Sequence, residues 1–427
     1  MTVRFGTDGV RGRAGEPPIR PEEARSIGAA AARWALALGG DRVLVGHDPR
    51  PSSSELERAV VEGVGSVGGS AVRLGVVPTP VLGVALAAGQ APVGVMITAS
   101  HNPAADNGFK VIGPGGRKPL ADEVARLEAW AAEGPGSSAP RTPAEGAEDA
   151  LKAWDVAVAG LRLQLPERPL VVDLAHGAAV PMRARLEALW PGTLHVVGGG
   201  DGVVNDGVGS EHLEHLGEAV VRLGAWAGLA VDGDGDRCRL VDETGAGVPG
   251  DAVTWLLARH MEVAALAVTV MSTTALEAQL PGVVVVRTSV GDKHVMAAMR
   301  DRDLALGAED SGHVLFGDYP AGDGLVAGLR ALAAVGPRRT SAVFGGFELF
   351  PRRLGKVRVA ARPPLDEVLP VQRAVAAAEG ALGAGGRVFL RYSGTEPVLR
   401  ILVEGRSADA VAAAYDDVEK VVVQVLA

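Results

Sequence analysis

The chain has 427 residues, of which 47% are apolar but only 4% aromatic, and it carries a formal charge of −9. That length gives room for three or four domains, with cores built from Ala, Val and Leu. The acidic balance and the lack of basic runs exclude nucleic acid as the main partner, and no apolar run approaches the ~18 residues a membrane helix needs. A phosphorylated metabolite is not excluded, because an anionic ligand needs only a local cluster of Arg and Lys.

The N-terminus, residues 1–8, carries charge where a signal peptide would be apolar, and the single Cys238 suits a reducing compartment, so a cytoplasmic protein is expected. Residues 5–12, Phe-Gly-Thr-Asp-Gly-Val-Arg-Gly, set Arg11 among turn-forming positions. Strand patterns follow at 43–45 and 71–74, with an amphipathic helix over 54–67 between them. The apolar run 93–97 predicts a buried strand that ends in Thr98-Ala99-Ser100-His101-Asn102-Pro103. A helix over 121–132 leads to the linker Gly-Pro-Gly-Ser-Ser-Ala-Pro-Arg-Thr-Pro at 134–143.

A second α/β unit has strands at 170–173 and 194–197, helices at 181–189 and 211–223, and a strand at 228–231 running into Asp232-Gly-Asp-Gly-Asp-Arg237. The third unit, about 250–336, has strands at 267–270, 283–287 and 304–306, the last ending near Gly307-Ala-Glu309-Asp310-Ser311-Gly-His313. Each of the three units thus ends a strand in a polar loop, a repeat of architecture without residue-level self-similarity. From about residue 347 the pattern changes to a small α+β unit, with a helix over 365–378, strands at 387–390 and 398–403, and a helix from 408. The expected domains are 1–145, 146–246, 247–340 and 347–427.

The chemistry of each loop follows from its residue types. Ser100 at a sheet edge, followed by an imidazole and an Asn-Pro turn, can take and release an acyl or phosphoryl group, although the hexad is also ordinary turn chemistry. Three carboxylates separated by single glycines after a buried strand suit a hard divalent cation, Mg²⁺ in preference to Ca²⁺, with Arg237 adding a fixed cation. Glu309, Ser311 and His313 alternate along one loop, where a carboxylate and a hydroxyl can hold sugar hydroxyls while the imidazole moves a proton. Arg391, Ser393, Gly394, Thr395 and Arg400 offer two guanidiniums, two hydroxyls and a glycine-opened backbone to a phosphate dianion. His101 and Lys110 are candidate proton carriers beside the serine. A carrier serine, a metal loop, a sugar-sized polar loop and a phosphate clamp together describe phosphoryl transfer.

These residues resemble the α-D-phosphohexomutase superfamily over essentially the whole chain. Residues 98–103 resemble its phosphoserine loop, 232–237 its metal loop, 309–313 its sugar loop and 391–397 its phosphate loop. Within it, 5–12, 106–110 (Asp-Asn-Gly-Phe-Lys) and 290–292 (Val-Gly-Asp) are most similar to the branch acting on glucosamine phosphates. The resemblance implies three similar α/β domains with mixed sheets and a C-terminal α+β phosphate-binding domain around a central cleft. It implies interconversion of glucosamine 6-phosphate and glucosamine 1-phosphate, on the route to UDP-N-acetylglucosamine and cell-wall precursors. Phosphorylated Ser100 would pass its phosphoryl group to the sugar, giving a 1,6-bisphosphate that turns around and returns the other phosphate. One Mg²⁺ would be held by Asp232, Asp234, Asp236 and the seryl phosphate, and Arg11, His101, Lys110, Arg237 and His313 would stand near the transfers. The phosphate domain must grip the substrate in both orientations, so hinge motion is expected at 336–346. The implied partner is a phosphorylated hexosamine, with a homodimer as an allowed assembly.

Two positions depart from the family pattern: Tyr392 stands where Lys is common, and Asp310 where Gln is common. A carboxylate at 310 could attract an amino group at C2 of the sugar. The alternatives are a phosphoglucomutase or phosphomannomutase, with the same chemistry on another sugar, and a metal-dependent phosphatase using Asp232 as nucleophile, as in haloacid dehalogenase enzymes. Trapped phosphate on Ser100 or on Asp232 separates these two mechanisms.

Overall fold

The apolar run Val93–Ile97 forms a strand with every residue buried, as a run without polar alternation requires. In the computed structural model, which describes residues 3–6, 9–139, 141–393 and 396–427, this strand lies inside a six-stranded sheet. The order is Val10–Arg13, Asp106–Ile112, Val93–Ile97, Arg42–His47, Ser70–Val76 and Ala144–Glu145. Arg42–His47 runs parallel to both its neighbours, whereas Asp106–Ile112 is antiparallel to Val93–Ile97, so the sheet is mixed. The antiparallel return brings Lys110 opposite Met96 and Phe109 opposite Ile97, close to where the serine loop departs.

Two helices of this domain, Pro21–Ala37 and Ser53–Ser66, touch through glycines. A Cβ on Gly28 would lie 2.1 Å from the Val60 carbonyl oxygen, and one on Gly63 would lie 2.0 Å from that of Arg25. The backbones therefore approach at a distance that excludes any side chain at either position.

The second sheet has the order Gly247–Val248, Cys238–Asp242, Ala227–Val231, Leu170–Asp173, Leu194–Val197. The third has the order Val284–Thr288, Ala265–Thr269, Leu306–Ala308, Val314–Phe316. In all three sheets a buried strand delivers a polar loop at its C-terminal end: Val93–Ile97 leads to Ser100, Ala227–Val231 to Asp232, and Leu306–Ala308 to Glu309.

Packing divides the chain into two units, Met1–Val270 with Val286–Phe344 and Met271–Val285 with Gly345–Ala427. The division after Phe344 falls inside the 336–346 stretch. The second unit has an antiparallel sheet, Arg352–Arg358, Val398–Glu404, Arg387–Tyr392, packed on helices Leu369–Leu382 and Ala408–Leu426. The strip Met271–Val285, inside the stretch expected to form the third domain, is bound into this unit: the Thr273 hydroxyl donates to Glu404, and Arg387 Nη2 donates to the Ser272 carbonyl at 2.7 Å.

Several elements differ from expectation. The helix expected at 365–378 is a short 3₁₀ turn, Leu365–Glu367, followed by Leu369–Leu382, because Pro370 fits only a first helical turn. The strand expected at 304–306 is Leu306–Ala308, since the helix Asp292–Arg302 reaches a left-handed cap at Asp303. Helices Pro21–Ala37, Thr79–Ala87 and Ala147–Gly160 were not foreseen. The stretch 134–143 is tethered where described, with Gly136 and Ser138 donating backbone N–H groups to Ser66. Among the described residues no helix is long and apolar enough to cross a membrane.

Replacing Gly28 by Val is expected to destabilise the first domain by ~2 kcal/mol or more, because two packed backbones must separate. A melting curve superimposable on that of the wild type would contradict the glycine contact.

Candidate active site

Thr98 begins the serine loop fully buried, its hydroxyl donating to Asp48 at 2.6 Å and accepting from the Ser100 backbone N–H at 2.8 Å. Ser100 adopts φ 54°, a left-handed conformation uncommon for a residue with a side chain. Its hydroxyl then donates to Asp232 Oδ2 at 2.5 Å, with His101 Nδ1 at 3.4 Å. The expected nucleophile and the first expected metal ligand thus meet across 132 residues of sequence.

Asp232, Asp234 and Asp236 are all buried, and one oxygen from each lies within 4.8 Å of the others. Gly233 passes so close to the serine loop that a Cβ there would lie 2.6 Å from the Ser100 carbonyl oxygen, and Gly235 takes φ 78°. Both glycines are needed for this turn. Asp234 Oδ2 accepts from Thr79 Oγ1 at 2.5 Å and from Lys110 Nζ at 2.7 Å, and Asp236 Oδ2 also accepts from Lys110 at 2.7 Å. Asp234 Oδ1 is buried and has no hydrogen-bond partner among the described residues. Three carboxylates with an orphaned oxygen fit a hard, oxygen-seeking divalent cation, whose charge would offset the mutual repulsion.

That repulsion is large. Burial, and then the charges of Asp236 and Asp234, hold the Asp232 carboxyl well above the usual carboxylate range. Burial lowers the affinity of Arg237 for its proton, but Asp232, Asp236, Glu309 and Glu211 outweigh it and keep the guanidinium firmly charged. Burial, and then Arg237 and Arg11, push His101 below the usual imidazole range, which leaves a neutral ring beside the serine at neutral pH.

A recess lies next to the metal loop, lined by Arg11, Arg237, Glu309, Asp310, Ser311 and His313 among others. The structure therefore brings together the sugar-loop residues, the metal loop and Arg11. Glu309 is 8% exposed, raised by burial, and accepts from the Gly291 N–H at 2.9 Å. His313 sits between carboxylates, with Nδ1 4.0 Å from Asp236 Oδ1 and Nε2 3.6 Å from Asp292 Oδ2. Asp292 in turn pairs with Lys118 at 2.6 Å.

In the C-terminal unit, Arg391 lies directly opposite Arg400, and Arg400 opposite Lys356, a row of three cations across three strands. Arg400 also lies 3.6 Å from Glu396. Ser393 is buried and its hydroxyl accepts from the Glu396 N–H at 3.3 Å. Gly394 and Thr395 lie outside the described residues. Tyr392 alternates to the opposite face from Arg391, joins the apolar core under the helices and donates its hydroxyl to the Pro363 carbonyl at 2.9 Å. The departure at position 392 thus supplies packing and an anchor.

Sequence reasoning missed the support of the serine loop. Arg50, with no side-chain exposure, pairs with the equally buried Asp48 at 2.8 Å and donates to the backbone carbonyls of Ser100, Asn102, Pro103 and Asp106. The signal was a polar Asp48-Pro49-Arg50 directly after the strand Arg42–His47, the same strand-end logic that found the other loops. Thr79, Lys118, Asn205 and Lys356 were also passed over, because nothing in their local sequence pattern ties them to the loops they reach.

Comparison with known proteins adds to this geometry. Residues 2–135 match the model for phosphoglucomutase/phosphomannomutase, alpha/beta/alpha domain I, 249–343 the model for alpha/beta/alpha domain III, and 354–421 the model for the C-terminal domain. The chain is 40% identical to the phosphoglucosamine mutase of Mycolicibacterium vanbaalenii, over 96% of each chain. It is 40% identical to that of Paracoccus denitrificans, over 97% of each. Among solved structures, a phosphoglucomutase/phosphomannomutase family protein from Burkholderia thailandensis is similar with a TM-score of 0.81 and 27% identity, over 99% of this chain and 98% of that one. N-acetylphosphoglucosamine mutase of Aspergillus fumigatus, solved in complex with GlcNAc-6P and magnesium, shares the fold with a TM-score of 0.63 and 17% identity, over 99% and 96%.

The charge at Asp232 gives a signed expectation. Its folded-state affinity for a proton exceeds that of the unfolded chain, whose value is near 3.8. Metal-free protein should therefore gain stability as pH falls through the raised value toward that range, and lose it as pH rises. Asp232→Asn should raise the melting temperature of metal-free protein at neutral pH and flatten this dependence, while abolishing most of the stabilisation by added Mg²⁺. A lower melting temperature in the metal-free variant would contradict the repulsion.

Proposed function

This chain belongs to the phosphoglucomutase/phosphomannomutase family, and from that premise we propose that it is a phosphoglucosamine mutase, interconverting glucosamine 6-phosphate and glucosamine 1-phosphate to feed UDP-N-acetylglucosamine and cell-wall precursors. The observation that carries the reading is the Ser100 hydroxyl 2.5 Å from the buried Asp232 of the three-aspartate loop. The identity of 40% with phosphoglucosamine mutases over nearly the whole chain supports the sugar.

Ser100 acts in its phosphorylated form. A sugar hydroxyl oxygen bonds to phosphorus as the bond from phosphorus to Ser100 Oγ breaks, and the sugar hydroxyl gives up its proton, giving glucosamine 1,6-bisphosphate. On the return step Ser100 Oγ bonds to the other phosphorus as the bond from that phosphorus to the sugar oxygen breaks; the sugar oxygen takes up a proton and Ser100 releases its own, for which Asp232 at 2.5 Å and the neutral His101 at 3.4 Å are the acceptors at hand. His313, in the wall of the recess, exchanges protons with the sugar. Lys110 and Arg237 bring fixed positive charge to the transferring group, and Arg11 contributes from the edge strand Val10–Arg13 of the same sheet. Asp232, Asp234, Asp236 and an oxygen on Ser100 would hold Mg²⁺, which when bound neutralises charge on the phosphoryl group. Glu309 and Ser311 hold sugar hydroxyls. Arg391, Ser393, Gly394, Thr395 and Arg400 take the phosphate that is not reacting. The buried lone thiol Cys238 suits a reducing compartment, and the cytoplasm is the proposed location.

A phosphatase with Asp232 as nucleophile is less well supported, because that carboxylate already accepts from Ser100 and from the Arg237 backbone N–H.

With Mg²⁺ present, kcat/KM for glucosamine 6-phosphate should exceed those for glucose and mannose 6-phosphates by about 100-fold, ~3 kcal/mol in the transition state, and Ser100→Ala should abolish turnover. A lead for glucose or mannose phosphate would keep the mutase chemistry and replace the sugar. Asp310→Asn should narrow the preference for the aminosugar over glucose phosphate several-fold; an unchanged ratio would remove the carboxylate from substrate selection.

A further inference from the structure

The Ser100 carbonyl oxygen accepts hydrogen bonds from side chains on two different sheets. Arg50 Nη2 reaches it at 2.7 Å from the loop after Arg42–His47 in the first sheet. Asn205 Nδ2 reaches it at 2.8 Å from the loop between Leu194–Val197 and Leu213–Leu223, in the domain that carries the metal loop. The same pair converges again one turn on: the Asn102 carbonyl accepts from Arg50 Nη2 at 2.8 Å and from Asn205 Nδ2 at 3.1 Å.

Asn205 is itself held in place. It adopts φ 60°, and its backbone N–H donates to the Ala175 carbonyl at 3.0 Å. Gly233 closes the space between them, since a Cβ there would lie 2.6 Å from the Ser100 carbonyl oxygen and 2.8 Å from Asn205 Nδ2. The peptide held in this way belongs to a residue at φ 54°, where a side-chain-bearing residue persists only when its surroundings over-determine it. Released from this grip, Ser100 is free to leave φ 54°, and rotation about φ would carry Cβ and Oγ away from Asp232. Arg50 fixes the loop within its own domain, and among the described residues Asn205 ties the Ser100 carbonyl to the domain that supplies the aspartates.

We infer that Asn205 is a positioning residue for phosphoryl transfer: by gripping the Ser100 and Asn102 carbonyls it registers the nucleophile's backbone against the metal loop. It touches neither the sugar recess nor the reacting oxygen among the contacts described, so it acts through Ser100. The inference rests on the mutase reading above.

Two variants test it in the full-length, Mg²⁺-loaded enzyme. Asn205→Gly keeps the left-handed backbone accessible and removes the amide; Asn205→Asp keeps the size and replaces the donating nitrogen with an oxygen that faces two carbonyl oxygens. Turnover is measured with whichever hexose phosphate the wild type uses fastest, so an error in the proposed sugar leaves the comparison intact. The expected result is a kcat lower by about 30-fold for Gly and lower still for Asp, with KM within about twofold and the Gly variant melting with the wild type. Retention of kcat within threefold by both variants would overturn the inference. So would a loss that appears in KM alone or tracks a fall in melting temperature.

Discussion

Three aspartates buried within 4.8 Å of one another are the constraint to which the surrounding structure answers. Such a cluster cannot persist in a low-dielectric setting without positive charge close by. The chain supplies it from several directions: Lys110 from the antiparallel strand of the first sheet, Arg237 from the loop itself, and the oxygen geometry to add a divalent ion. The same charge explains why a hydroxyl rather than a carboxylate faces Asp232. A serine can donate to the cluster when free and contribute an anionic phosphate only when the cation is there to receive it.

The positions of the reactive residues follow from strand chemistry. Each of three buried strands stops at a polar loop, and the loops carry the hydroxyl, the carboxylates and the imidazole respectively. The first two read clearly in the sequence because unbroken apolar runs of five residues that end at a polar residue have few other interpretations, whereas the third, only three residues long, was expected two positions early. Ser100, the aspartates and the loop 309–313 were therefore legible. Asp48, Arg50 and Asn205 were less so, because their importance lies in what they reach across 50 to 105 positions of chain: Asp48 the Thr98 hydroxyl, Arg50 and Asn205 the Ser100 carbonyl. Helix Pro21–Ala37, rich in alanine and without a side-chain N-cap, gave only a weak boundary signal.

In the C-terminal unit, strand alternation assigns work to neighbouring residues. Arg391 projects on the open face in line with Arg400 and Lys356, while Tyr392, partly buried, packs against the core. Like charges set opposite one another across strands cost stability, so a row of three is an arrangement suited to an anion. Position 392 shows why a departure from a family pattern must be placed on a face before it is given a meaning.

The strip Met271–Val285 has a consequence for how the protein is made. It belongs to a unit whose remainder begins at Gly345, and the bond from Thr273 to Glu404 spans 131 residues. During synthesis the strip leaves the ribosome well before the strands Arg387–Tyr392 and Val398–Glu404 to which it bonds, and those bonds must wait while the intervening helices and strands are translated. Only once Glu404 has been made can the Thr273 hydroxyl form its bond to that buried carboxylate. A nascent chain cannot finish this part of the molecule domain by domain, because the strip waits for partners made 115 and 131 positions later.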